Sequence, residues 1–534
     1  MSKNEDKIRF NRRNFLKRSA GASFGFAGVA STLAQLELMQ SAVATTTSMN
    51  TANYKALVCV FLRGGCDMNN MLVPIGTNPQ AQKYKAERGV AAVPELISEE
   101  VNQNTLPSIE RNSTEVSPLN LTGDDAMFGM HPRCTRMTNL FNQGKLGWIN
   151  NVANLVVPTN SSNYGSVPRP LQLFSHSNQV NEWMSGIADQ PFVTGWGGRL
   201  AEIINAQNTE SQSSMLITAS GNQDFMVTPG ASGINQYTIS SSGAPVGLQS
   251  VGTNPTGSSD EDRRLKAALD LMNFNSTHII ETSYNSVLKR AIANKELIGA
   301  ALDLTDPASG DYIGFDVDAI FAANNATSSL ANEIKAIARL IIGRRCLGNE
   351  RQIFFCDHGG FDNHNNINAN QGNRLEEVDE AIGAFNQCME DYAAFAGNDN
   401  FDYNQVTTFE MSDFNRTWTP NGDDFGTSGT DHAWGTHAFI MGGAVQAQQN
   451  ILNGGVDGGR FYGTFPTLDV GASQAVPGNA RGRWIPTTSK NQMAARLAAW
   501  FGVSTGPAED THTIFPNLSN FPDPFTSGNL DFIA

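Results

Sequence analysis

Cysteine is sparse and unpatterned in this chain. The six residues, Cys59, Cys66, Cys134, Cys346, Cys356 and Cys388, include no C-x-x-C pair and no zinc-finger spacing, which argues against a structural zinc knot. Cys59 and Cys356 fall in apolar strand-like runs (VCVFL and IFFCD), where buried thiols are the commoner outcome, and any disulfide pairing stays open. A net basic charge is missing too. The formal net charge is −15, and nucleic acid as a partner would need a clustered cationic surface, so that class is excluded. No internal repeat is evident. Beyond the amino-terminal region no run approaches the roughly 20 apolar residues of a membrane span. Gly64-Gly65, after the first strand-like run, lacks the G-x-G-x-x-G and Walker spacings, which leaves nucleotide binding unsupported. Paired glycosidase carboxylates stay open, because their separation belongs to the fold.

What is present begins with an address. Residues 11–17 read NRRNFLK, a Gly/Ala-rich apolar stretch follows, and Ala42-Val43-Ala44 offers a small-residue cleavage site. This order predicts a twin-arginine export signal over 1–44, passage through the twin-arginine translocase, and a mature chain in the periplasm or outside the cell with no membrane span. Such export carries folded proteins, which fits a metalloprotein.

The remaining chain, 45–534, reads as a single α/β domain. Apolar runs KALVCVFL, LGWINNV (146–152), SMLITA (214–219), RQIFFCD (351–357) and VTTFEMS (406–412) alternate with helical pattern, which predicts a mostly parallel sheet with helices on both faces. A helix is expected over about 373–396, where Leu375, Val378, Ile382, Phe385, Met389 and Tyr392 make one apolar stripe. Polar, Pro- and Ser-rich stretches predict insertions near 77–125 and 239–345, the latter opening on a surface loop and continuing as helices.

In an open parallel sheet ligands bind beyond the carboxyl ends of the strands, so polar residues following apolar runs are the candidates. LRGGCDMNN presents Asp67. DHGGFDNHNN holds Asp357, His358, Asp362 and His364. SDFNRT carries Asp413 and Arg416, and GTDHAWGTH supplies Asp431, His432 and His437. FSHSNQVNEW places Ser175 and His176 at a helix start. Five of eight histidines fall in these segments. Mixed imidazole and carboxylate ligands suit zinc, manganese or iron, whereas carboxylates alone suit magnesium or calcium. Each pair alone is more often a capped turn; it is their joint occurrence after separate strands that points to a site for one or two divalent ions. Ser175 reads either as a plain N-cap or as a nucleophile activated at a helix start near a metal.

These segments, in the order FLRGGCDMNN, MHPRCTRMTNLFNQGKLGWINNV, FSHSNQVNEW, TGWGGRLA, GGFDNH, SDFNRT, GTDHAWG and GGRFYGTFP, resemble the bacterial proteins grouped as domain of unknown function 1501. The resemblance implies the alkaline-phosphatase-like clan, which includes sulfatases, with an α/β/α sandwich, a two-metal site and long insertions. It implies Ser175 as nucleophile; the residues themselves add His176, beside Ser175 at the helix start, and Arg416, a cation for an anionic substrate, to the catalytic set. It also implies Asp362, His364 and His432 around a first metal, and Asp67 and Asp413 toward a second; Asp431, next to His432, is a candidate to replace a lost ligand. Phe414 stands where the clan usually has a histidine, and Asp362 lies two residues from His364 rather than four, which weakens the second site. The expected activity is hydrolysis of an anionic small-molecule or polymer ester, a phosphate or sulfate. The alternative is a non-catalytic secreted binding protein with a degraded site.

Overall fold

A computed structural model describes residues 53–75, 79–92, 127–230, 234–240, 256–272, 285 and 294–533. Short interruptions fall at 210, 212, 398, 425, 447, 450–456, 459–460, 472–473, 507–509 and 527–529. The export segment lies outside the described residues, as does most of the insertion near 77–125. No helix among the described residues is long and apolar enough to cross a membrane.

The larger of two compact units spans 44–228, 235–247 and 293–534. It is mixed α/β, built on a nine-stranded sheet. In chain order the strands are β1 (Lys55–Leu62), β2 (Leu146–Ala153), β3 (Leu216–Thr218), β4 (Tyr237–Thr238), β5 (Arg351–His358), β6 (Val406–Ser412), β7 (Thr436–Gly442), β8 (Phe461–Gly463) and β9 (Thr488–Ser489). They lie side by side as β8-β2-β7-β6-β1-β5-β3-β4, with β9 also on β2. Seven of the eight residues of β1 are buried, as a central strand covered on both faces requires.

The two faces are set by alternation along the strands. Phe61, Phe355 and Phe409 point to one side, where Phe355 and Phe409 meet Phe225, and Phe409 also meets Trp196. That side carries helices α2 (His176–Ser185) and α3 (Trp196–Ile204). Val58, Val60 and Leu62 point to the other, into a core shared with α1 (Thr135–Asn142), α4 (Ser329–Ile342) and α5 (Ile367–Ala394). Truncating a fully buried ring such as Phe409 to Ala would cost about 3–5 kcal/mol.

The sheet is mostly parallel, with one departure that matters for the site. Strand β7 runs antiparallel to both β6 and β2. Its amino end therefore lies where its neighbours end, and the loop entering β7, with Asp431 and His432, is delivered to the carboxyl ends of β1, β5 and β6. Helix α5 begins at Ile367, earlier than the apolar stripe indicates. Its first turns, INANQG, are too polar to show the stripe, yet Gln371 is buried and donates from Nε2 to the Asp67 carbonyl (2.6 Å).

The smaller unit comprises 1–43, 229–234 and 248–292. Its described part includes the helix Asp260–Met272, whose first turn is acidic, favourable at the positive end of the helix dipole. Lys266 and Asp270 pair at 2.9 Å along its exposed surface.

Candidate metal centre

Five segments meet at the carboxyl ends of β1, β5 and β6, and glycine permits the approach. Gly64 (φ +109°) and Gly65 (φ +76°) turn the chain sharply after β1. A Cβ on Gly64 would sit 2.5 Å from the Asp362 amide, and one on Gly65 would sit 2.6 Å from the Phe414 ring. The same turn orients the next layer: the Gly64 N–H donates to Asp413 Oδ1 (3.1 Å), and its carbonyl accepts from Arg416 (3.3 Å).

Three imidazoles and one carboxylate converge there. His364 Nε2 lies 3.0 Å from Asp362 Oδ1 and 3.0 Å from His432 Nε2. His176 Nε2 and His432 Nε2 lie 3.4 and 3.5 Å from the same Asp362 oxygen. Each ring is held from behind through its other nitrogen. His176 Nδ1 faces Asp413 Oδ2 at 2.7 Å, His364 Nδ1 faces Asp431 Oδ1 at 3.0 Å, and His432 Nδ1 faces the Phe174 carbonyl at 2.8 Å. All three partners can only accept, so each Nδ1 carries a proton and donates, and each Nε2 faces inward, where the neutral ring offers a lone pair. His176 Nε2 is buried and has no hydrogen-bond partner among the described residues, its 3.4 Å approach to Asp362 lacking hydrogen-bond geometry.

The surroundings keep this arrangement in place. Phe414 forms a floor, its ring 4.7 Å from that of His176 and 4.6 Å from that of His432 between centroids. Phe174 sits at φ 76°, in the left-handed region that costs a non-glycine residue about 1–3 kcal/mol, and this backbone aims its carbonyl at His432. The Asp413 hydrogen bond raises the His176 pKa, while burial lowers that of His432. Burial pushes the Asp362 carboxyl up, but the hydrogen bond and charge of Arg416 together with the nearby His176 and His364 outweigh it and hold it below the usual carboxylate range. Asp431 likewise ends low, burial being outweighed by Arg481 and His364. The Asp362 and His364 side chains are 48% and 43% exposed, so the cluster is open on that side.

The sequence-identified residues divide into three groups. Asp362, His364, His432 and His176 are brought together, and His176 stands among the converging donors rather than beside them as an acid or base. Asp413 and Asp431 do not turn toward the centre; each spends its carboxylate behind a histidine, and Asp431 also pairs with Arg481. Arg416 is fully buried and donates to Asp362 Oδ1 (2.8 Å), the Thr430 carbonyl (2.6 Å) and Gly64, so it positions Asp362 and has no surface for a substrate.

Asp67 and Ser175 are not part of the convergence. Asp67 is 1% exposed and forms a buried ion pair with Arg88. Ser175 does precede α2, but its hydroxyl donates to Asn178 Oδ1 (3.2 Å) and its other neighbour is the Ser177 hydroxyl (3.4 Å). His358 pairs with Glu377 (2.7 Å), and His437 is buried against the Phe465 ring, its pKa lowered by burial to about 3. The Phe174 carbonyl and Arg481 were missed by sequence reasoning: a backbone acceptor leaves no mark in a sequence, and Arg481 sits in a stretch with no motif.

Ligand atoms around a tetrahedral ion with bonds near 2.0–2.1 Å lie about 3.3 Å apart. His176 and His432 approach Asp362 Oδ1 at 3.4 and 3.5 Å, close to that spacing, while His364 meets Asp362 and His432 at 3.0 Å from the open side and stands outside the mutually close set. His176, Asp362 and His432 each offer a ligand atom within 4.8 Å of the others. No second such set occurs among the described residues, since Asp67 and Asp413 are each committed to another partner. All described cysteines are free thiols, and Cys59 and Cys356 are buried.

No curated protein and no solved structure matches this chain. A family model described as protein of unknown function (DUF1501) matches residues 54–476, which takes in every strand from β1 to β8 and all four converging side chains, and the chain belongs to that family.

Proposed function

We propose that the protein is a metal-dependent hydrolase of phosphate or sulfate esters, with one transition-metal ion held by His176, Asp362, His364 and His432. The observation that carries the reading is the inward orientation of three imidazole Nε2 atoms onto one carboxylate oxygen, each imidazole backed by an acceptor at Nδ1. Nitrogen-rich ligands favour zinc, manganese or iron over magnesium or calcium. A bound ion would supply Lewis acidity at an ester oxygen. The chain's own part is to fix the rings and Asp362 in place before the ion arrives, through Asp413, Asp431, Phe174 and Arg416. The exposed Asp362–His364 side leaves room for a substrate to approach.

The reading retains the alkaline-phosphatase-like classification that the sequence resemblance implies, supported by the mostly parallel sheet and by a site at its carboxyl ends. It departs in the number of ions and gives Ser175 no role as nucleophile. Export by the twin-arginine route belongs to the same reading, since a metal-loaded, folded protein suits that route; a reporter fused after residue 44 should reach the periplasm only with Arg12-Arg13 intact. The second reading, a non-catalytic binding protein, is favoured by the Ser175 hydroxyl turned onto Asn178.

Metal analysis of the purified protein, followed by assay on aryl phosphates, phosphodiesters and aryl sulfates, tests the proposal. About one equivalent of zinc, manganese or iron and a chelator-sensitive release of product are expected, with Ser175→Ala retaining the rate within about twofold. Metal-free protein that releases nothing overturns it, and bound metal without turnover moves the conclusion to the binding protein.

A further inference from the structure

The loop that supplies the Phe174 carbonyl also encloses a cavity of about 400 Å³, lined by Tyr164, Arg169, Gln172 and Phe174 among others. That volume falls within the range of small-ligand sites. One guanidinium lines it, that of Arg169, and a second, that of Arg483, is held on a ring that borders it. Arg169 lies over the Tyr164 ring at 4.2 Å, and Arg483 lies over the Phe174 ring at 4.1 Å. Arg483 Nε is buried and has no hydrogen-bond partner among the described residues. Neither side chain forms an ion pair among the described residues, although the cluster next door is full of carboxylates. Arg481, two residues before Arg483, shows the contrast, being paired with Asp431.

Stacking on an aromatic face holds a guanidinium in position and leaves its in-plane N–H groups unused. Those N–H groups form a planar fork suited to sulfate, phosphate or carboxylate oxygens. Phe174 joins the two places: its ring carries Arg483 and borders the cavity, while its carbonyl holds His432. The residue that borders the cavity is therefore the same one that supports the imidazole cluster.

We propose that this cavity is an anion subsite, in which Arg169 and Arg483 take a second anionic group of the ester substrate while the scissile ester sits at the His176, Asp362, His364 and His432 cluster. The preferred substrate is thus an ester of a molecule carrying at least one further sulfate, phosphate or carboxylate. This rests on the hydrolase reading for its use, though the subsite itself does not need the metal.

The test separates the two. Naphthalene-2-sulfonate, an aromatic anion with no ester to cleave, is titrated by fluorescence into the full chain treated with chelator, at low ionic strength. Saturable binding is expected, weakened at least tenfold in Arg169→Gln plus Arg483→Gln, partly restored by Arg483→Lys, and unaffected by Arg263→Gln on the exposed helix of the smaller unit. Arg169 is exposed, so Arg169→Gln alone should fold normally and still lose a measurable share of the binding. Where hydrolysis is found, the double variant should raise KM for an aryl ester bearing an additional sulfonate while leaving kcat, and KM for the plain aryl ester, unchanged. Equal sulfonate binding by the wild type and a correctly folded double variant overturns the subsite even if hydrolysis is present. Arginine-dependent sulfonate binding with no hydrolysis of any ester supports the subsite and rejects the hydrolase reading.

Discussion

Asp67 and Asp362 each follow a strand of the same sheet, at the ends of β1 and β5, yet they live in opposite environments. Asp67 is 1% exposed and neutralised by Arg88, itself fully buried, which also donates to the Thr417 and Trp418 carbonyls at 2.8 and 2.7 Å. Asp362 is 48% exposed, faces three imidazoles and takes its one guanidinium contact from Arg416. The first carboxylate fastens the loop after β1 to the loop after β6; the second is left partly uncompensated, which a bound cation would relieve. Position after a strand nominates a carboxylate, and the partners waiting for it decide what it does.

The comparison can be broken most severely at the buried pair. Removing one partner of such a pair strands the other charge, so Asp67→Asn should lower unfolding free energy by about 3–5 kcal/mol while any metal bound by the folded protein stays. Denaturant unfolding together with metal analysis measures both, and unchanged stability would mean the pair contributes nothing. Asp362→Asn should do the reverse: metal affinity falls at least 100-fold, about 2.7 kcal/mol, with unfolding in chelator shifted by less than about 1 kcal/mol. If Asp67→Asn and Asp362→Asn lost metal equally, the two carboxylates would not differ in the way described.

A third carboxylate sharpens the contrast, because it has neither a contacting guanidinium nor imidazoles. Glu333, on α4, accepts from the Ser220 hydroxyl (2.6 Å) and the Asp357 amide (3.1 Å) at the end of β5. Burial pushes its pKa up to about 7, the two hydrogen bonds opposing. Between the ordinary glutamate value and about 7 the folded state holds a proton that the unfolded state has lost. Stability therefore falls as pH rises through that window, by roughly 3 kcal/mol at most. Glu333→Gln should flatten the profile between pH 4.5 and 7 and be the more stable protein at pH 8, as thermal unfolding across that range would record.

How much of this could be read beforehand follows from which signals a sequence carries. The buried strands are legible because a strand covered on both faces must be apolar throughout, and KALVCVFL, RQIFFCD and VTTFEMS all became strands. The direction of β7 was not legible, since THAFIMG has the same composition whichever way it runs. Asp362, His364 and His432 were legible as residue types standing beyond strand ends. Which carboxylate would turn inward and which would stand behind a ring was not, because that depends on distances near 3 Å between segments tens or hundreds of residues apart. Asp413 and Asp431 carried the same sequence signal as Asp362 and took a different place.

The smallest expected effect tests that last distinction. Asp431→Asn keeps the side-chain shape and can still accept from His364 Nδ1, but it removes the negative charge shared with Arg481 and makes the imidazole a poorer donor to a cation. Metal affinity should fall about tenfold, well short of the loss in Asp362→Asn, and the wild-type stoichiometry should return at higher metal concentration. Arg481→Gln controls for the ion pair alone and should change affinity less than Asp431→Asn does, since the carboxylate behind His364 remains. A loss in Asp431→Asn as large as that in Asp362→Asn would mean that Asp431 binds the ion directly, and the boundary drawn here between ligands and the groups that orient them would have to move.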